Sequence, residues 1–296
     1  MTRPDYSARD ESIKMLTYTI LRRREGVPNE LFHPYWSDVH GPLCARLPGL
    51  GYYIQYHFAR EQSANLWPLP EGAQADATEL DGMVEIGHSS TANQERFTKA
   101  SSLLFKDERN FIGQDAAYAL PHGSRTLIDC DPNGCPNAPE IAYRLLLHLH
   151  GPELAPLRAA ATQLAESLAS QAGILKVRLH LPEPYDNSEP APAAPDVRHQ
   201  LPSRELHLAA LEIRWESRLL AERYLRGDDY QQLAAGFAGV VTSLGTFLVK
   251  EVITFIRDGE LTTAGQRGGR PARLIEQLGA LNQTSDEVLD YFLPRQ

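Results

Sequence analysis

The sequence is short of the features that mark several protein classes. Only three cysteines occur in 296 residues, at positions 44, 130 and 135, an odd count without framework spacing, so a disulfide scaffold is excluded. Cys130 and Cys135 flank "DPNG"; such a lone C-x4-C could hold a metal or a disulfide, and two reduced loop thiols are the expectation. No run of 18 apolar residues is present, so no membrane-crossing helix is expected. The first dozen residues, "MTRPDYSARDES", are polar and lack the apolar core of a secretion signal, which makes the cytoplasm the expected location. Basic residues are in deficit, 29 Lys and Arg against 38 Asp and Glu, for a net charge of −9. Apart from Arg22-Arg23-Arg24 and a looser group at Arg267, Arg270 and Arg273, they are scattered. Backbone-driven nucleic-acid binding needs a basic face, so the expected partner is a small molecule, with no nucleic acid and no membrane. A G-x-S-x-G elbow, an H-E-x-x-H pair and a dinucleotide fingerprint are all missing.

What is present suits a globular chain. Hydrophobic residues make up 42% and charged residues 23%, enough to bury a core, and the length favours two domains over one. After the polar leader, "KMLTYTILRRREG" reads as a strand with Thr17, Thr19 and Leu21 on one face and Leu16, Tyr18 and Ile20 on the other. "PNELFHPYWSDVHGP" reads as a helix with a stripe of Leu31, Phe32, Tyr35, Trp36 and Val39, Asn29 as N-cap and Gly41-Pro42 as its stop. "GYYIQYHFAR" and "ELDGMVEIGHS" read as the next strands, "TANQERFTKASSLLF" as a helix, "DERNFIGQDAAYAL" as a helical turn region and "GSRTLIDC" as a closing strand. Strand, helix, strand, strand, helix, strand is the ferredoxin-like order.

The order recurs beyond the linker "CDPNGCPNAPE". "IAYRLLLHLHG" is a strand, "PELAPLRAAATQLAESLASQAG" a long helix and "ILKVRLHLPE" a strand; a Pro/Ala/Asp loop then precedes the strand "ELHLAALEIRWES", a helical stretch and the closing strand "TFLVKEVITFIRDG". The expected architecture is therefore α+β, two tandem ferredoxin-like domains at 14–130 and 140–258. A polar leader spans 1–13, a linker 131–139 and a C-terminal helical extension 259–296. Two such sheets packed face to face would enclose a cavity between them. "GQRGGRP" lacks the lysine and the Ser or Thr of a P-loop and is expected to be a turn.

The stretch "KMLTYTILRRREGVPNELFHPYWSDVHGPLCARLPGLGYYIQYH" resembles the start of an EthD-like domain, in which a strand ending in Arg precedes a helix with a Tyr-Trp-x-x-x-His-Gly-Pro signature. "LDGMVEIG" and "KDERNFI" resemble later parts of the same pattern. The resemblance covers about residues 14–129, and the second half carries no such signature. It implies membership of the dimeric α/β barrels, here as one fused, intramolecular barrel, a monomer as pseudo-dimer or a homo-oligomer. The activities it implies are varied: cofactor-free decarboxylation, dehydration or cyclisation of polyketide-like aromatics, muconolactone isomerisation, oxygenation of quinol-type substrates and, in distant relatives, haem chemistry.

His40 is the leading catalytic candidate. It lies four residues after Trp36, on the same helix face. A helix C-terminus favours its imidazolium while apolar neighbours favour the neutral ring, a balance suited to a general acid or base; the bland alternative is a helix cap. Glu85, in the family-like "DGMVE", is the second catalytic candidate, with a solvent-facing carboxylate as its alternative. Tyr53, Gln55 and His57 on one strand and Asp81, Met83 and Glu85 on the next are expected to present one face each to the cavity, with Tyr35 and Trp36 completing the substrate-binding set. The opposite assignment places Tyr52, Ile54, Tyr56, Val84 and Ile86 there. His33 and His88 are expected to be structural or at the surface. His148, His150, His180 and His207 read as core or surface histidines, and no metal site is expected.

The expected function is a cofactor-independent lyase or isomerase acting on a hydrophobic aromatic or polyketide-like molecule, with His40 as proton shuttle. The alternatives are a haem- or oxygen-dependent dehydratase or monooxygenase on the same fold, and a non-catalytic binding protein for a hydrophobic metabolite.

Overall fold

The computed structural model describes residues 6–60, 67–76, 78–131, 134–188, 194 and 196–292. Residues 1–5 of the leader, 61–66 and 77 of the first loop, 132–133 of the linker, 189–193 and 195 of the Pro/Ala/Asp loop and 293–296 of the C-terminal extension lie outside them.

A short helix α1 (Ser7–Glu11) opens the chain within the polar leader. Strand β1 (Met15–Arg23) is followed by α2 (Asn29–Tyr35), which passes through a π-helical turn (Trp36–His40) into α3 (Gly41–Ala45). Strands β2 (Tyr52–Phe58), β3 (Gln74–Ala75) and β4 (Gly82–His88) precede helices α4 (Thr91–Ala100) and α5 (Ser102–Glu108). Strands β5 (Ile112–Leu120), β6 (Arg125–Asp129) and β7 (Asn137–Pro139) complete the first part. The second part runs β8 (Tyr143–His150), α6 (Leu154–Ala169), β9 (Ile174–His180), β10 (Leu208–Trp215), α7 (Arg218–Arg226), α8 (Asp228–Ala235) and the long β11 (Ser243–Arg257). It ends in β12 (Glu260–Leu261), α9 (Thr263–Arg267), α10 (Gly269–Leu278) and α11 (Asp286–Phe292).

The fold is α+β with one large, mostly antiparallel sheet. Strand order in the first half is β5-β1-β4-β2 and in the second β11-β8-β10-β9, the same order in each. Strand β11 belongs to both, pairing with β8 over its first half and with β2 over its second, while β6 pairs with β9. No described helix is long and apolar enough to cross a membrane.

Three sequence expectations change here. "DERNFIGQDAAYAL" is not helical beyond Glu108: it forms β5, because Ile112, Ala116, Tyr118 and Leu120 are buried at even spacing and this packing overrides the helix preference of its alanines. "GSRTLIDC" does not close the first sheet; its strand, β6, pairs across to the second half. The linker contributes β7, hydrogen-bonded to β11.

Register decides which side chains meet. Tyr18, Glu85 and Ile54 stand directly opposite one another on β1, β4 and β2, as do Thr19, Val84 and Gln55, so each set shares one face. The first face meets the second half, forming a packed layer with Tyr18, Tyr56, Met83, Leu146, Phe247 and Val252. The other face lies under the first half's helices with Trp36, Tyr53, Val84 and Phe255.

Candidate active site

The helix carrying His40 does not stop at Gly41-Pro42. Proline at 42 has no N–H to donate, and the Gly41 N–H donates to Trp36 O, five residues back, so the chain widens into a π turn and continues as α3. Gly41 is needed for space, since a Cβ there would overlap the Phe255 ring. His40 therefore sits mid-helix, which removes the helix-end dipole from the account of its chemistry and corrects the expectation of a cap. π turns of this kind recur at functional sites.

This turn faces a cavity of about 620 Å³ between the outer face of the first sheet and the helices above it. Thr17, Thr19, Val84, Ile86, Ala117 and Ala119 form its floor; Phe97, Thr98, Leu104 and Phe105 of α4 and α5 form part of its roof. Trp36, His40, Cys44, Tyr53 and Glu108 line one side, and Tyr185, Asp186, His199 and Gln200 of the second half another. The sequence expectation placed the cavity between the two sheets; that interface holds the packed layer, and this cavity lies on the opposite face.

Two adjacent carboxyls, Glu108 in the lining and Asp107 behind His40, differ in their environments. Asp107 at the end of α5 accepts from His40 Nδ1 at 2.8 Å and from the Tyr35 hydroxyl. Burial pushes the Asp107 carboxyl up, but the bonds from His40 and Tyr35 outweigh it and hold the group below its usual value. An ionised Asp107 accepts a hydrogen bond from the His40 Nδ1–H, which leaves the Nε2 lone pair for a ligand. Glu108, the next residue, behaves oppositely: burial, helped by Asp115 and Asp107, pushes its carboxyl up to about 8. A base held by a carboxylate and a neutral carboxylic acid thus share one cavity, with environment separating their roles.

Of the expected site residues, the structure gathers His40, Trp36 and Tyr53 in the cavity. Tyr35 stands behind it and touches Asp107. Gln55 and His57 lie on the same sheet face but outside the cavity lining: Gln55 Nε2 donates to Trp36 O at 3.2 Å, and His57 stacks on Trp36 with ring centroids 4.4 Å apart. Burial, with His33 beside it, holds His57 well below its ordinary value; His33 is lowered to about 3, again chiefly by burial. These two rings support Trp36 as neutral groups.

Glu85 and Met83 face the other way, which corrects their grouping with Tyr53 and His57. Glu85 is fully buried between the sheets, where Arg178 Nη2 bonds it at 3.1 Å and the Tyr56 hydroxyl at 3.1 Å. Arg178 also pairs with Asp10 at 2.7 Å, and the network continues through Glu212 to Arg144, Lys176 and Asp131. Glu85 is thereby a structural partner rather than a neighbour of His40. Asp81, just before β4, is turned away from this cavity and accepts from the Arg23 guanidinium at 2.6 Å. Asp107 and Glu108 were missed as site residues although "KDERNFI" contains both: a helical expectation through residue 120 concealed that the helix ends on them.

The four histidines that the sequence singles out in the second half, His148, His150, His180 and His207, do not fit a haem ligand. His148 is 2.7 Å from the Tyr18 hydroxyl, His150 Nδ1 is bonded to His207 O and His180 Nδ1 to Ser124. None of them lines the cavity, and an iron ligand needs a nitrogen open to one.

Residues 24–115 match the model of the EthD domain. Among solved structures, an anthrone oxidase-like protein is similar at 11% identity, with a TM-score of 0.51 over 85% of this chain and 96% of that one. A protein of Fusobacterium nucleatum described as a proposed monooxygenase is 7% identical, with a TM-score of 0.49 over 82% of this chain and 94% of that one. A DyP-type peroxidase of Streptomyces coelicolor is 11% identical, with a TM-score of 0.39 over 90% and 96%. Of these, the likeness to the anthrone oxidase-like protein speaks to fold, and to fold alone. No curated protein matches the chain.

Proposed function

We propose, starting from the EthD domain at residues 24–115, that this protein is a cofactor-independent enzyme that moves protons on a hydrophobic aromatic or polyketide-like molecule, in a decarboxylation, dehydration or cyclisation. The observation that carries this reading is the His40–Asp107 pair at 2.8 Å in the same cavity as a carboxyl raised to about 8. His40 Nε2 takes a proton from carbon or oxygen of the ligand; Glu108, neutral at pH 7, donates to the oxygen on which charge develops. The apolar side chains in the cavity walls, Trp36 and Phe105 among them, lower the local dielectric and strengthen both interactions. The matching strand orders of the two halves support the finer architectural reading, one internally duplicated barrel in which the second half replaces a partner subunit.

The test uses 2-tetralone, an enolisable bicyclic ketone, in D2O. Wild type is expected to accelerate deuterium exchange next to the carbonyl, and His40→Ala to lose about 10²–10⁴-fold of that rate, the usual range for a positioned base, while still binding the ketone. Exchange that persists in His40→Ala, or is absent from wild type, removes the reading. An oxygen-using variant of the reaction would start from the same deprotonation, and oxygen uptake measured with an electrode separates the two.

A further inference from the structure

A second histidine–carboxylate pair in the cavity is not used by the proton transfer. His199 lies in the connection between β9 and β10, in the second half of the chain, yet it lines the cavity of the first half. Its Nδ1 is paired with Asp115 of β5. Its Nε2 is buried and has no hydrogen-bond partner among the described residues, and the residue is only 6% exposed. The placement is held by several bonds. The Arg198 N–H donates to Gly113 O at 3.0 Å and the Asp115 N–H donates to Arg198 O at 3.0 Å, which lays this segment parallel to the edge of β5. The Tyr185 hydroxyl donates to His199 O at 2.7 Å.

An ionised Asp115 accepts the Nδ1 proton, so Nε2 is left as an acceptor. Buried acceptors in folded proteins are satisfied, and this one lines a cavity where a ligand donor can reach it. We propose that His199 is the ligand-orienting residue contributed by the second half, and that its Nε2 accepts a hydrogen bond from a phenolic or enolic hydroxyl of the bound molecule. Asp115 is the positioning residue that selects the tautomer. This assignment rests on the cavity being a small-molecule site and adds the chemistry of its ligand: a free hydroxyl on the ring system. An ether or an unsubstituted ring leaves Nε2 unpaired.

The probes are 1-naphthol and 1-methoxynaphthalene, which share a ring system and differ in the hydroxyl hydrogen, titrated calorimetrically into the full chain. Wild type is expected to bind the naphthol about tenfold more tightly, the effect of one buried hydrogen bond. His199→Phe is expected to bring that ratio close to one without weakening the methoxy compound. Asp115→Asn keeps the imidazole but no longer demands the Nδ1 proton, so its ratio is also expected to fall; it serves as the test if His199→Phe does not fold. A ratio unchanged in the folded variants overturns the assignment and leaves the His40 reading untouched, because that is measured by ketone exchange. Failure of both probes to bind wild type overturns the assignment together with the aromatic reading of the cavity.

Discussion

The two halves share a strand order and differ in what their helices do to the sheet beneath them. In the second half, α6 buries seven residues, among them Leu157, Leu164 and Leu168, against Leu145, Leu147, Leu149, Val177, Leu179, Leu211 and Ile213. In the first, α4 buries none, and the sheet offers Thr17, Thr19, Ala117 and Ala119 to the space below it. Large side chains from both layers interdigitate and exclude solvent. Small side chains facing a polar helix leave a gap, and the first half keeps the cavity for that reason. Two halves with one strand order can therefore differ in packing, one filled by its helix and one left with a cavity, without any change of topology.

The largest effect that tests this division is at the face both halves share. Glu85→Ala leaves the buried Arg178 with Asp10 as its remaining ion-pair partner among the described residues, and a loss of about 3–5 kcal/mol is expected for breaking such a pair, measured by denaturant unfolding. If Glu85 served the chemistry, activity would fall before stability did. Next comes Leu164→Ala, which opens in the second half the kind of gap the first half already has; about 2–5 kcal/mol should be lost. A much smaller loss would show that the second helix layer is not packed as tightly as the contrast requires.

Converting the first half to the second is the complementary experiment. Thr19→Leu with Ala117→Leu should fill the cavity floor, reduce ketone exchange by about 10²-fold through misplacement of the ligand and leave stability equal or higher. Unchanged exchange would relocate the reaction. The remaining prediction is a pH dependence and concerns Glu108. Its folded value of about 8 lies above its ordinary 4.5, so the folded state holds the proton more tightly than the unfolded chain. Stability should therefore fall as pH rises from about 4.5 to 8 and stay low above that range. Glu108→Gln should remove this dependence, matching wild type near pH 4 and exceeding it near pH 9 in parallel unfolding curves. The basic limb of the exchange rate, expected near pH 8 from loss of the donor, should vanish with it.

Much of the chain was legible from its pattern. The strands β1, β2, β4, β8, β9 and β10, the helical period of α6 and the repeated element order all follow from which residues are apolar and how far apart they stand; the stripe expected on α2 is buried at Phe32 and Trp36, while Leu31 and Val39 are exposed. The signature from Tyr35 to Pro42 pointed to His40, and the EthD resemblance is matched over residues 24–115. Other features were not legible. Alternation divides each strand into two faces but does not say which face meets which neighbour; pairing Tyr53 with Met83 instead of Val84 required an assumption about register. Gly41-Pro42 has the composition of a helix stop, yet the bond from Gly41 to Trp36 carries the helix onward.

The sequence by itself determined His40 as a candidate and most of the elements, because propensity and periodicity are local properties. Only the tertiary structure decided the partners: Asp107 on His40, Arg178 on Glu85 and His199 on Asp115 are 67, 93 and 84 residues apart. Such pairs are set by strand register, by the helix that ends on Asp107 and by the connection laid along β5. Burial, which raises Glu108 and depresses His57, exists only once those surfaces have met.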